Sequence, residues 1–504
     1  MKTIFFILSL TAVALQAQAP KAPATKAPQR PAVIRTDALV KVNATIQQYN
    51  PYLPWQKQSP GGRRGLGVVM PGQRVLVTAQ MAADATYLEL EMPDTEAKIP
   101  AKVVGIDYEA NLALLAGAAD EKRVTAFFAG LKPLEVETNV AKGDNLNIWQ
   151  SDRVGDLIVT PLRVSKIMTS AYVVEGSNYL VYECQGILRS EGNSFTLPLV
   201  KGGKLVGLLL RYDQKNQVTT VLPGMIIEHF LKDVADGNVE GFPSLGAQFQ
   251  STMDDQFRDY LGLKPEQGGM YVSAVVKGNT ADKMGMKEGD IVLSMNGFEI
   301  DSRGDYLDPQ YGRLNMSHIV RGRAYVGDSL EVKVLRDGKE ETLKGKLIRK
   351  LPQDNLVWPY LFDRGPNYLV HGGLVFQELS KPYLEGFREN QNADVSRLSY
   401  LAEHPEAMEE QGRKKLVFLS MVLPTPSAQG YTNLGGNVIN KINGKPILQL
   451  ADAVEAFKSP KDGVHTIELN DFPRFLYLDA AQSDKDNAAM RAGAFRIGKL
   501  SRIE

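Results

Sequence analysis

Cysteine is almost absent: Cys184 is the only one in 504 residues. A single thiol excludes an intramolecular disulfide framework in any compartment. Within the apolar run YLVYECQGI (179–187), Cys184 reads as a small buried strand residue. An excess of charge is absent too, since Lys+Arg and Asp+Glu both number 58, and nothing marks a nucleic-acid-binding surface. Beyond the N-terminus no stretch reaches the ~18 uninterrupted apolar residues of a membrane span. There is no glycine-rich phosphate loop and no pair of histidines at ligand spacing, so no nucleotide, metal or other cofactor is expected. Histidine itself is scarce: the five are His229, His318, His371, His404 and His465, and none falls in residues 65–225. His371 reads as a solvated loop residue, and acidic clusters such as MEEQ (408–411) as solvated helix faces.

What is present begins with a leader. Met1-Lys2 supplies a small positive region, Thr3 to Leu15 an apolar one, and AVALQAQA the small residues of a cleavage site after Ala14, Ala17 or Ala19. Residues 1–19 thus read as a secretory signal peptide, too short to cross a bilayer as a helix, and the protein is expected to be exported to the periplasm or beyond. The run APKAPATKAPQRPAV (19–33) has too little apolar surface to fold, so residues 20–37 read as an extended linker.

Residues 38–49 form a short strand or helix leading to PYLPWQ (51–56). From residue 65 to 225 the chain is a succession of short apolar or alternating runs between turn residues, among them GLGVVM, RVLVTA, TYLELEM and KLVGLLL. This spacing predicts an all-β barrel or sandwich rather than a parallel α/β sheet. MIIEHFLKDV (225–234) closes the region as a helix. A repeat follows: GDIVLSMNGFEI (289–300) and GNVINKINGKPI (436–447) share Gly, an acid or its amide, two β-branched residues, Asn-Gly and a final Ile. Asn-Gly after such a run predicts a hairpin, because both residues tolerate positive φ. One unit of supersecondary structure is expected twice.

The repeat resembles PDZ domains of the circularly permuted type attached to HtrA/Deg proteases. In the first copy the likeness extends through SLGAQF (244–249), GGMYVSAVV (268–276) and NTADKMGMKEGDIVLSMNG (279–297). It implies that Leu245, Gly246, Ala247, Gln248 and Phe249 hold a peptide, with N–H groups of the Gly turn on its terminal carboxylate and the strand edge on its backbone. The second copy, HGGLVFQELSKPYLEGF (371–387) with LVFLSMVL (416–423) and GGNVINKING (435–444), resembles the second PDZ domain of plant-type Deg proteases. There the resemblance implies a binding edge at Gly373, Leu374, Val375 and Phe376, in a domain often given to assembly. The all-β region is similar to the family's trypsin-like domain through LPWQ (53–56), RVLVTAQMAADATYLEL (74–90), KVVGIDYEANLALL (102–115) and EGNSFTLPLV (191–200). The fold implied is mainly β and multidomain: a trypsin-like double β-barrel over residues 38–237, then two PDZ domains of α+β type over 238–350 and 351–504.

Such a protease needs a base, a carboxylate to orient it and backbone donors for the oxyanion. The resemblance places Gln80 at the histidine position, and an amide accepts no proton near neutral pH. It places Asn111 at the aspartate position; in trypsin the same exchange costs about 10⁴ in rate. Gly192, Asn193 and Ser194 correspond to the nucleophile and oxyanion loop, but Phe195 and Thr196 stand where the family has two glycines, and one extra residue precedes Pro198. Either Ser194 or Phe195 is the structural equivalent of the nucleophile. The expected function is a noncatalytic peptide- or protein-binding scaffold, homo-oligomeric and trimer-based, with a chaperone-like or regulatory role. The alternatives are an active serine endopeptidase with an unrecognised base, and an envelope protein whose PDZ grooves are closed.

Overall fold

The computed structural model describes residues 35–95, 97–151, 156–174, 176–189, 195–386 and 393–504. The expected leader, most of the linker, and Gly192, Asn193 and Ser194 lie outside the described residues.

The first six strands are β1 (Leu39–Ile46), β2 (Gly61–Met70), β3 (Arg74–Val77), β4 (Ala85–Glu91), β5 (Lys98–Asp107) and β6 (Leu112–Gly117). They close into an antiparallel barrel in the order β1-β2-β3-β6-β5-β4. Alternation along each strand decides which side chain goes where. Val75, Val77, Ala113 and Leu115 enter the barrel's own core, whereas Leu76, Leu112 and Leu114 join an apolar cluster shared with the second barrel. That barrel comprises β7 (Asn145–Ser151), β8 (Leu157–Ala171), β9 (Asn178–Gln185), β10 (Pro198–Lys201), β11 (Lys204–Asp213) and β12 (Val218–Pro223), closed as β10-β11-β12-β9-β8-β7. The all-β expectation holds, and within residues 38–49 the segment Leu39–Ile46 forms the strand β1. Cys184 is fully buried on β9, where burial pushes its thiol up to about 12. Helix α1 (Ala79–Ala82) follows β3, α2 (Glu121–Phe128) follows β6, and α3 (Gly224–Asp233) is the predicted closing helix.

The next region contains β13 (Ala247–Ser251), β14 (Met270–Val275), β15 (Ile291–Met295), β16 (Phe298–Glu299), β17 (Asp305–Asp308), β18 (Gly312–Asn315), β19 (Ser329–Arg336) and β20 (Lys339–Lys346), with α4 (Asp255–Tyr260), α5 (Thr280–Lys283) and α6 (Ser317–Arg321) between strands. Its order is β13-β14-β15-β19-β20, with β16 on β15 and β17-β18 a separate hairpin. The last sheet holds β21 (Tyr368–His371), β22 (Leu374–Glu378), β23 (Val417–Val422), β24 (Asn437–Ile442), β25 (Lys445–Pro446), β26 (Val464–Leu469), β27 (Phe475–Asp479) and β28 (Ser501–Arg502), ordered β27-β26-β24-β23-β22-β21-β28 with β25 on β24. Both predicted Asn-Gly turns form: Asn296 and Gly297 have φ of 47° and 80°, Asn443 and Gly444 have 52° and 78°, and each pair joins a long strand to a two-residue one.

Three expectations are corrected. His371 ends β21 and stacks on Phe457 with centroids 4.0 Å apart, so it is no solvated loop residue. In MEEQ, Met408 is buried and Glu409 pairs with Lys350 at 3.6 Å, because the helix packs inward along that face. The stretch Gly373, Leu374, Val375 and Phe376 presents no free edge, since β22 is hydrogen-bonded to β21 on one side and β23 on the other. Leu374, Val375 and Phe376 are accordingly buried.

Candidate functional site

The turn between β5 and β6 and the start of α1 bring Asn111 and Gln80 together. Asn111 takes a left-handed backbone, φ 55°, which its short polar side chain tolerates. Its Oδ1 accepts the Gln80 N–H at 3.0 Å, while its buried Nδ2 has no hydrogen-bond partner among the described residues. Phe195 and Thr196 run beside β2. The Phe195 N–H donates to the Arg64 carbonyl at 3.1 Å, and the Leu66 N–H to the Thr196 carbonyl at 2.9 Å. Thr78 ties the segment from the other side, its hydroxyl donating to the Phe195 carbonyl at 2.6 Å and its N–H to Thr196 Oγ1 at 3.3 Å. The Phe195 ring packs on the first barrel's core beneath the Arg63 guanidinium, 5.3 Å away. Arg63 in turn donates to the carbonyls of Gln80 and Ala83.

A distant segment lies across the same place. Asp363, between the two PDZ sheets, accepts the Asp84 N–H at 2.6 Å and the Tyr108 hydroxyl, and its own N–H donates to Asp84 Oδ1 at 2.9 Å. Tyr360 and Phe362 stack near Tyr108, with centroids 5.5 and 5.0 Å away. Nothing in the set Arg63, Thr78, Gln80, Asn111 and Thr196 is a base at neutral pH. His229, on α3, is sandwiched between Phe242 and Tyr325 at 4.0 and 3.9 Å.

The second feature is a groove between β13 and α6. Order in the sheet leaves β13 at an edge. The Leu245 carbonyl accepts the Ala281 N–H and the Gly246 carbonyl the Val276 N–H, both at 2.8 Å, and the Leu245 and Gly246 N–H groups meet no acceptor among the described residues. Gly246 has φ 73°, and a Cβ there would lie 2.4 Å from Asn279. Leu245, Gly246, Ala247 and Phe249 line a cavity of about 450 Å³, while Gln248 points to solvent, as the strand's two-residue period requires. Of the predicted peptide-binding residues, the structure therefore gathers four of the first set here and closes the second set inside a sheet.

Sequence reasoning missed the groove's other wall. Arg321 of α6, Arg349 after the last strand of this sheet, and Glu109 of the first barrel all line the cavity. Arg349 lies 3.3 Å from Asp107 and 3.4 Å from Glu109, and Arg321 3.8 Å from Glu109. Burial raises the Glu109 carboxyl above the usual range, against the pull of Arg349. No local signal marks these residues, because Glu109 and Arg349 are 240 positions apart in sequence. No group of three or more potential metal ligands occurs among the described residues, and no described helix is long and apolar enough to cross a membrane.

Two closed β-barrels followed by two PDZ-type sheets define a class: a protease fold joined to paired peptide-binding modules. PDZ domain models match residues 243–347 and residues 357–492. The protein "Protease Do-like 2, chloroplastic" of Arabidopsis thaliana is 26% identical over 459 residues, covering 90% of this chain and 72% of that protein. "Serine protease Do-like HtrA" of Bacillus subtilis (strain 168) is 29% identical over 301 residues, covering 57% and 64%. Among solved structures, "HtrA-type protease AlgW with decapeptide" matches at 18% identity and a TM-score of 0.47, covering 63% of this chain and 97% of that one. The chain thus carries two PDZ domains and is homologous to Deg/HtrA proteases at about 25% identity over most of its length.

Proposed function

We propose that this HtrA/Deg homologue is an exported pseudoprotease that acts as a peptide- or protein-binding scaffold. The observation that carries the reading is that Gln80, tied to Asn111 Oδ1, stands where the family resemblance puts the base, in a stretch from 65 to 225 with no histidine. Phe195 supports it: its N–H donates to the Arg64 carbonyl on β2 and its carbonyl accepts the Thr78 hydroxyl, so that N–H is not available as an oxyanion donor. The first PDZ domain is the binding module, with the Leu245 and Gly246 N–H groups for a terminal carboxylate and β13 for the peptide backbone. The second PDZ domain, its β22 already paired on both sides, serves assembly of a homo-oligomer, trimer-based as the family resemblance implies. The role is chaperone-like or regulatory in the cell envelope.

A fluorophosphonate probe tests the central point. We expect no labelling of Ser194 and casein turnover at background. Stoichiometric labelling that disappears in Ser194→Ala, with casein turnover lost in the same variant, would establish an active endopeptidase instead.

A further inference from the structure

The wall of the first PDZ groove contains buried cations whose hydrogen bonds are unfinished. Arg321 Nη1 and Arg349 Nε are buried and donate to no acceptor among the described residues, although the Arg349 side chain is only 10% exposed. A buried donor without an acceptor is destabilising, more so when charged. The carboxylate they share is Glu109, and it fits poorly: 3.4 Å to Arg349 and 3.8 Å to Arg321, against about 2.7–2.9 Å for a charge-assisted hydrogen bond, while Arg349 Nη1 is held separately by Asp107 at 3.3 Å and the Glu240 carbonyl at 3.2 Å. The location is specific. Ser244 donates its N–H to the Ile348 carbonyl at 2.9 Å, which sets Arg349 beside the Leu245-Gly246 turn, and Arg321 ends the helix that faces β13. Both arginines and Glu109 line the cavity that holds Gly246 and Phe249.

We propose that Glu109 is an internal stand-in for a ligand carboxylate: an anionic group on a peptide lying along β13 displaces it and completes the hydrogen bonds of Arg321 and Arg349. The inference rests on the reading of this groove as a peptide site. It goes further by making two residues outside the usual binding turn, one of them beyond the last strand of the sheet, the charge partners of the ligand, and by making a first-barrel residue their competitor. The anion is either the peptide's terminal carboxylate or an Asp or Glu side chain near it.

The test uses the full chain and fluorescence anisotropy with two pools of fluorescein-labelled heptapeptides randomised over the last three positions, one with a free C-terminal carboxylate and one carboxamidated. Glu109→Gln keeps shape and removes the competing charge, so binding of the free-acid pool should tighten about fivefold, the scale of coupling between linked sites. Arg321→Gln and Arg349→Gln should weaken it about tenfold or more, as loss of a close charge partner does. Arg321→Lys should retain part of the affinity, and urea midpoints confirm that each variant is folded. If the Glu109→Gln gain disappears with the carboxamidated pool, the anion is the terminal carboxylate. If it persists there, and bound peptides are rich in Asp or Glu, the anion is a side chain. Equal binding by the wild type and Glu109→Gln, or unchanged binding in both Arg→Gln variants, overturns the inference while leaving the groove a peptide site. Failure of every variant to bind either pool overturns the peptide reading itself.

Discussion

Gly65 and Thr196 share one space. A Cβ on Gly65 would lie 2.5 Å from Thr196 Cγ2, closer than carbon atoms approach, while the Thr196 hydroxyl is held by the Thr78 N–H. The glycine thus admits the threonine side chain, so substitution at one position should depend on the other. Gly65→Ala is expected to destabilise the barrel by about 1–3 kcal/mol, as overpacking does. Thr196→Ser removes Cγ2 and keeps the hydroxyl, so the double variant should recover part of that loss; additive urea midpoints would show that the two do not compete. Gln80 and Asn111 were legible at this scale because each sits in a run whose flanking residues carry the resemblance. Arg63 was not. Its contacts with the Gln80 and Ala83 carbonyls and with Phe195 depend on closure of the barrel, which a sequence of one strand does not encode.

A strand at a sheet edge and a strand inside a sheet differ in what their N–H groups can still do, and the two PDZ sheets supply one of each. β13 has β14 on one side only, whereas β22 has partners on both. In hydrogen exchange, amides of β22 should be protected without ligand, while outward amides of residues 245–251 should exchange quickly and gain protection when a peptide binds. Protection of β22 appearing only with peptide would contradict the assembly role given to that domain. Gly246→Ala should abolish binding in the first groove, since its φ of 73° and the 2.4 Å approach to Asn279 leave no place for a methyl group. The hairpins were readable from Asn-Gly because positive φ is a local property, borne by the residue itself. The order of strands was not. The pairing of Leu374–Glu378 with Tyr368–His371 brought together segments whose apolar patterns fit an edge or an interior strand equally, and the free edge expected at Gly373 to Phe376 was lost to that ambiguity.

The two barrels and the first PDZ sheet are joined through one continuous apolar cluster, and two of the chain's histidines are buried at that junction. His229 lies between Phe242 and Tyr325, and His318, on α6, is buried beside Tyr311 with neither ring nitrogen hydrogen-bonded among the described residues. Burial lowers each to about 4; Lys232 adds to this at His229 while Asp328 opposes it, and at His318 Asp308 opposes it while Arg323 adds to it. The sign follows from proton counting. Between pH ~6.5 and ~4 the unfolded chain binds protons at these positions that the folded chain refuses, so stability is complete above the ordinary histidine pKa and falls as pH drops through that window. Each site loses on the order of 3 kcal/mol across it, an amount comparable to a large share of a domain's net stability. The urea midpoint, followed through buried Trp149, should therefore drop between pH 7 and 5. His229→Phe keeps an aromatic ring between Phe242 and Tyr325 and removes the titration, so its midpoint should change less over the same interval. An equal drop in wild type and variant would mean that the acid sensitivity arises elsewhere, and that His229 is held at the junction for its stacking alone.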